Sequence, residues 1–284
     1  MKLIDGKSLA SKILGKLKTQ VSQLTYAPGL AVILVGDDPA SQLYVKLKEK
    51  AAKEVGIYFE KHFFSTYTQE KEIIEKIENL NHDPKIHGII VQLPLPRHLD
   101  EDNIIKQINW QKDADGFHPF NIKNLILGQK VIVPGLIKSI LTLLKETKVN
   151  LRGKKAVILA NSDVFIQPLK FILGKKKAEV TFKKSGDYFQ DAIREADIVI
   201  AAYGRPLLIK ANVIKEKAIL IDVGTNRTEE GKTVGDVDFE DVKNKAAWLS
   251  PVPGGVGPLT VAYLLENTYL NSEYLNKQPY DHKL

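Results

Sequence analysis

Apolar residues fall into short runs separated by amphipathic stretches. Residues 30–35 form a continuous apolar run ending at Gly36, the pattern of a strand buried on both faces. Asp38-Pro39 then supplies an N-cap and a first-turn proline, which predicts a helix to about Val55, closed by Gly56. Residues 57–64 alternate as a strand, 69–80 are helical, 88–93 read as a further apolar strand and 100–108 as a helix. The turn-rich stretch Lys112-Asp113-Ala114-Asp115-Gly116-Phe117-His118-Pro119 marks a domain boundary. A helix over 136–147 follows, and the alternation restarts: strand 155–160, helix 163–173, strand 179–183, helix 188–195, and strands 198–202 and 218–223. The Gly/Pro-rich segment 251–258 is expected to be irregular, ahead of a final helix from about residue 259.

Strands alternating with helices predict parallel sheets covered on both faces. Two such blocks predict an α/β protein of two domains with a cleft between them. The first spans 1–118, with the helix 259–284 packing back near it; the second spans 119–258. A length of 284 residues fits two domains.

Composition narrows the function classes. The chain has no cysteine, which excludes a disulfide scaffold and thiolate chemistry. No apolar run is long enough to cross a bilayer, and the start lacks a hydrophobic signal core, so a cytoplasmic protein without membrane association is expected. The net charge of +7 comes from lysines spread over the whole chain, many beside glutamates. Aromatic residues are not interleaved with them as a base-stacking platform requires, so no nucleic-acid partner is expected. No metal is expected either.

The helix after the first strand carries the sharpest chemical clue. At 100° per residue, Lys48 falls among Tyr44, Val45, Ala51, Ala52 and Val55, while Lys46, Lys50 and Lys53 fall on the opposite side. An ammonium inside an apolar stripe loses hydration, its pKa falls, and it becomes able to move protons near neutral pH. The bland alternative is a lysine that snorkels out of the stripe. Tyr44, one turn earlier, could stack on a flat ligand or be a core tyrosine with a wet tip. Gln92 ends the run Ile89-Ile90-Val91, at the carboxyl end of a strand where open α/β sheets bind ligands; it could fix a lysine or satisfy loop backbone. Asp115 could hold an N–H-rich heterocycle or simply hydrogen-bond its own turn.

In the second block, strand 155–160 leads into Ala160-Asn161-Ser162, where a dinucleotide would dock its diphosphate at a helix start. The glycine fingerprint is missing, and Ile166 would crowd a close approach. No acidic residue follows the next strand; Lys183-Lys184-Ser185 stands there, which favours NADP over NAD. A plain crossover unit reads the same stretch equally well. The glycines of Pro251-Val252-Pro253-Gly254-Gly255-Val256-Gly257-Pro258 would let a ligand approach the backbone, and its prolines stiffen the loop.

Several long motifs occur together: Val35-Gly36-Asp37-Asp38-Pro39-Ala40-Ser41-Gln42 with Tyr44, Val45 and Lys48; Val91-Gln92-Leu93-Pro94-Leu95-Pro96; the 112–119 stretch; Asp222-Val223-Gly224; Val234-Gly235-Asp236-Val237-Asp238-Phe239; and residues 251–260. In these the chain resembles the FolD-type bifunctional methylenetetrahydrofolate dehydrogenase/methenyltetrahydrofolate cyclohydrolases over nearly its full length. The resemblance implies a folate-binding catalytic domain, a C-terminal Rossmann-like nucleotide-binding domain, tetrahydrofolate derivatives as substrates, NADP as cofactor and a homodimer formed through the Rossmann domains. It implies Lys48 as the cyclohydrolase catalyst, positioned by Gln92, with Tyr44 stacked on the folate and Asp115 holding the pterin. Pro253, Gly254 and Gly255 would close over the substrate. Ala160, Asn161, Ser162, Ser185 and Thr225 would take the cofactor.

The departures cluster on the cofactor side. The family usually has glycines where Ala160 and Ile166 stand, a Pro-Cys-Thr-Pro-x-Gly segment where Pro134-Gly135-Leu136-Ile137-Lys138-Ser139 stands, and Gly-Ile-Asn where Gly224-Thr225-Asn226 stands. The leading expectation is the bifunctional enzyme. Its rivals are a monofunctional cyclohydrolase with a degraded NADP site and a non-catalytic folate-binding protein.

Overall fold

A computed structural model describes residues 1–277. In chain order it begins with β1 (Lys2–Leu3), α1 (Gly6–Val21), β2 (Gly29–Val35), α2 (Pro39–Val55), β3 (Tyr58–Phe64), α3 (Glu70–His82), β4 (Gly88–Val91), α4 (Glu101–Lys106), α5 (Pro119–Ile126) and α6 (Gly135–Glu146). It continues with β5 (Lys155–Ala160), α7 (Asp163–Lys175), β6 (Glu179–Lys183), α8 (Gln190–Glu195), β7 (Ile198–Ala202), β8 (Ile219–Asp222), β9 (Asn226–Arg227), β10 (Thr233–Val234), α9 (Phe239–Val242), β11 (Trp248–Leu249) and α10 (Val256–Lys277). Two compact units result. One contains residues 11–135 and the chain from 261 onward; the other contains 1–10 and 136–260.

The first unit is built on a parallel three-stranded sheet in the order β3-β2-β4. Every residue of β2 is buried, and its side chains divide by parity. Leu30, Val32 and Leu34 pack with Leu17, with Val45, Ala52 and Val55 of α2, and with Leu264 and Leu265 of α10. Ala31, Ile33 and Val35 pack with Ile73 and Ile77 of α3 and Ile104 of α4. This two-sided core is why the run reads as continuously apolar. Helix α2 starts where its capping chemistry directs: the Asp38 carboxylate accepts the Ser41 N–H at 2.7 Å. It ends at Gly56, whose φ of +84° is the left-handed cap that glycine adopts without strain.

The second unit has a six-stranded, all-parallel sheet in the order β1-β11-β8-β7-β5-β6. Its core joins Val157 and Leu159 of β5, Val199 and Ala201 of β7 and Leu220 of β8 to Ile193 of α8 and Val242 of α9. The chain runs outward from β5 to β6, then crosses back to β7. The carboxyl ends of β5 and β7 therefore form a topological switch point.

Several sequence expectations need correction. Residues 251–258 are not irregular throughout: Val256, Gly257 and Pro258 open α10. A proline in a first turn lacks only an N–H that has no acceptor within the helix. The helix expected to reach residue 284 is described to Lys277, and 278–284 lie outside the described residues. Three helices escape the pattern: α1, α5 and the four-residue α9. In α1, Lys and Ser residues and two glycines dilute the apolar face. α5 has eight residues, too few for a period to emerge from a turn-rich stretch. Among the described residues no helix is long and apolar enough to cross a membrane.

Candidate active site

The apolar face of α2 buries Ser41, Val45, Ala51, Ala52 and Val55, and Lys48 lies on that face, half-buried. Lys46, Lys50 and Lys53 are exposed on the other side. Lys48 does not snorkel to open water. Its Nζ donates to Gln92 Oε1 at 2.8 Å, and Gln92 Nε2 donates to the Leu93 carbonyl at 2.7 Å. The amide therefore has one orientation, with its oxygen toward the amine. Gln92 holds this place because its own N–H bonds the Ile33 carbonyl, at the carboxyl end of the sheet. Tyr44 is half-buried one turn before Lys48.

Asp115 completes the group. Burial lowers the Lys48 pKa below the ordinary lysine range, and the Asp115 carboxylate partly offsets this. Burial raises the Asp115 pKa, the Lys48 charge pulls it down, and neighbouring Asp113 pushes it up again. Among the described residues the Asp115 carboxylate takes no hydrogen bond. The two groups thus sense each other's charge while both remain able to meet a ligand.

Asp113 is the organiser that the sequence pattern does not reveal. It is buried, and its carboxylate accepts Gly116 N–H at 2.9 Å, His118 N–H at 2.8 Å and Asn121 Nδ2 at 2.9 Å. These bonds fold the segment that presents Asp115. Asn267 Nδ2, on α10, donates to the Ala114 carbonyl at 2.9 Å and steadies the same segment. Wholly buried Lys112 ties its start to the end of α3 through the carbonyls of Leu80 and Asp83, at 3.1 and 2.8 Å. Burial lowers the Lys112 pKa to about 8, with Asp83 opposing the shift. The Asp-x-x-Gly spacing of 113–116 is the one local signal that could have drawn attention to Asp113.

The remaining expected residues lie in the second unit. Ala160 is buried at the end of β5, Asn161 and Ser162 are exposed in the following turn, and Ser162 N-caps α7 without a side-chain cap bond. Its hydroxyl is thus available beside the first-turn amides, where an anion is favoured. Ile166, in the first turn of α7, is wholly buried. Ser185 follows β6 and is exposed, its N–H bonded to Asn161 Oδ1 at 2.8 Å. Thr225 is exposed after β8. A polar, glycine-poor turn with open amides and hydroxyls fits a nucleotide diphosphate.

Near these groups, the Asp222 and Asp236 carboxylates order the loops beyond β7 and β8. Asp222 accepts the N–H groups of Gly224, Asp236 and Val237 at 2.9–3.0 Å. Asp236 accepts those of Tyr203, Gly204 and Arg205 at 2.6–3.1 Å, and Asn226 Nδ2 at 2.9 Å. Burial is the main cause raising the Asp222 pKa to about 7. Gly254 and Gly255 are buried and Pro253 is exposed. Gly254 needs glycine for its φ of +115°, and Gly255 because a Cβ would press on Pro251 and Ser250. These glycines therefore answer first to the chain's own packing.

Comparison with known proteins accords with this geometry. Residues 4–115 match the family described as tetrahydrofolate dehydrogenase/cyclohydrolase, catalytic domain, and residues 134–276 match its NAD(P)-binding domain. The bifunctional protein FolD of Moorella thermoacetica is 47% identical over 271 residues, covering 94% of this chain and 96% of that protein. The crystal structure of the bifunctional enzyme FolD from Campylobacter jejuni superimposes with a TM-score of 0.92 at 42% identity, covering 98% of this chain and all of that one. The Trypanosoma brucei dehydrogenase-cyclohydrolase, solved with NADP cofactor and inhibitor, gives 0.93 at 33% identity, covering 98% and 99%. The chain belongs to the tetrahydrofolate dehydrogenase/cyclohydrolase family.

Proposed function

We propose that the protein oxidises 5,10-methylenetetrahydrofolate to 5,10-methenyltetrahydrofolate with NADP and hydrolyses that product to 10-formyltetrahydrofolate. The observation that carries the reading is the Lys48 amine, drawn into the apolar face of α2 and held by Gln92 at 2.8 Å. Bound NADP supplies the hydride acceptor for the first step. In the second, water adds to the one-carbon centre, the bond from that carbon to N5 breaks, N5 takes one proton and a second proton leaves to solvent. Neutral Lys48 takes a proton from the attacking water and returns it toward N5. Gln92 fixes the direction of the amine. Asp115 holds the N–H groups of the pterin, Tyr44 stacks on its face, and the backbone of Pro253, Gly254 and Gly255 borders the substrate.

Ala160, Asn161, Ser162, Ser185 and Thr225 are the residues proposed to hold NADP. The first-turn amides of α7 and the uncapped Ser162 hydroxyl support retention of the redox step. A cytoplasmic homodimer paired through the NAD(P)-binding domains is part of the same reading, supported by the edge position of β6.

Separate assays of NADP-dependent methenyltetrahydrofolate formation and of its hydrolysis test this. Lys48→Met should lower hydrolysis by about 100-fold or more. Hydrolysis at the parent rate in that variant would remove Lys48 from the mechanism. Hydrolysis by the parent without NADP or NAD reduction would select a monofunctional cyclohydrolase, and folate binding without turnover a non-catalytic protein.

A further inference from the structure

β5 lies between β6 and β7 in the sheet, so the residues just beyond the carboxyl ends of these strands are neighbours. Asn161 follows β5, Ser185 follows β6 and Arg205 follows β7. The Arg205 guanidinium donates from Nη2 to Ser185 Oγ at 2.5 Å, and the Ser185 N–H donates to Asn161 Oδ1 at 2.8 Å. The backbone beneath is held firmly. Gly204 and Arg205 N–H groups bond the wholly buried Asp236 carboxylate, and Tyr203 Oη donates to the Lys183 and Lys184 carbonyls at 2.8 and 3.0 Å. The tips, in contrast, are open: Ser185 and Arg205 are both exposed.

Two of the nearby charged side chains are already committed. Lys184 Nζ is paired with Asp163 Oδ2 at 2.7 Å, and the Asp187 carboxylate accepts the Lys184 N–H at 2.8 Å. Among the described residues Arg205 forms no ion pair with a carboxylate. A fixed guanidinium whose only side-chain partner is a neutral hydroxyl, at the end of the strand next to the diphosphate turn, is a ready phosphate site. A ribose reaching this strand end from that turn presents its 2′ position here.

We propose that Arg205, acting with the Ser185 hydroxyl, is the residue that selects NADP over NAD in this chain, by taking the 2′-phosphate. Position 161, at the start of the same site, carries an uncharged asparagine, and the cation stands at the end of β7. The inference rests on the cofactor reading above and adds the residue that decides it.

Calorimetric titration of the full-length protein with adenosine 2′,5′-bisphosphate and with adenosine 5′-monophosphate isolates this contact from catalysis. The parent should bind the bisphosphate about 10- to 100-fold more tightly, the range of a charge-assisted hydrogen-bonded pair. Arg205→Ala should reduce that preference to about 3-fold or less while leaving the monophosphate affinity where it was. Arg205→Lys should fall between, because it keeps the charge and loses the planar fork. If Arg205→Ala keeps the parent's preference, Arg205 is not the selector, and the NADP reading stands without it. A parent that shows no preference overturns both this assignment and NADP as the cofactor. A parent that binds neither nucleotide overturns the nucleotide site itself.

Discussion

A lysine amine withdrawn into an apolar face is useful only if its proton can leave, and Asp115 sets how easily that happens. Its carboxylate raises the Lys48 pKa against the lowering due to burial. In Asp115→Asn that opposition is gone, so the pKa falls further and the neutral amine persists to lower pH. The acid limb of the pH profile of kcat for hydrolysis should move to lower pH, with a higher KM from loss of the proposed pterin contact. A limb that stays in place would show that another group controls it. His87 gives a second test at this scale. It is buried, its Nδ1 accepts the Gly29 N–H at 3.0 Å, and burial lowers its pKa to about 4, with Lys112 adding to the shift. Between about pH 6.5 and 4 the unfolded chain binds a proton there that the folded chain refuses, so this contribution to stability falls as pH falls through that window. Buried Asp222, with a raised pKa, acts in the opposite sense over an overlapping range, so the total profile hides the effect. The stability gap between the parent and His87→Asn, measured by urea unfolding, should narrow from pH 7 to pH 4. Lys48, Gln92 and Asp115 were legible in the sequence because each stands out where it sits: in an apolar stripe, at the end of an apolar strand, in a tight Asp-Gly turn. Asp113 and Asp236 were not, because each works on backbone N–H groups, several of them distant in sequence, and a buried acceptor leaves no mark on the hydrophobic pattern.

At the level of elements, glycines set how closely loops approach. A Cβ on Gly235 would overlap the Asp222 carboxylate, and one on Gly224 would overlap that of Asp236. Either substitution forces apart two loops that a pair of carboxylates holds together. Gly235→Ala should therefore cost about 1–3 kcal/mol of unfolding free energy, read from a lower urea midpoint. An unchanged midpoint would mean that the loops can separate freely. Strands were the most legible elements: β5, β6 and β7 begin and end where apolar runs are punctuated by glycine, lysine and turn residues. The helix start at α2 followed from its capping residue. What stayed hidden were α1, the short helices α5 and α9, and the opening turn of α10, where glycine and proline read as a break.

For the whole molecule, the residues proposed for proton transfer and those proposed for the cofactor lie in different parts of the chain. Lys48, Gln92 and Asp115 lie in the unit made of residues 11–135 and the carboxyl-terminal helix, whereas the proposed cofactor residues lie in 136–260. Lys48→Met should accordingly stop hydrolysis while NADPH formation from methylenetetrahydrofolate continues and methenyltetrahydrofolate accumulates. Loss of both activities together, in a variant that still unfolds cooperatively, would contradict that separation. Alternating strands and helices made the two-part organisation legible. Placement of the first ten residues was not, because a two-residue strand such as β1 is too short to show a period, and its neighbour β11 is also two residues long.

That placement has a consequence for how this protein can be dismantled. Strand β1 closes one margin of the six-stranded sheet by pairing with β11, through Lys2 with Trp248 and Leu3 with Leu249. A fragment cut at residues 136 and 260 would lose this outermost strand and bare a row of backbone donors and acceptors ready to recruit another chain. Neither half can be excised as one uninterrupted stretch; shuffling them between proteins would require three splices, with the amino terminus travelling alongside a lobe encoded more than a hundred codons later.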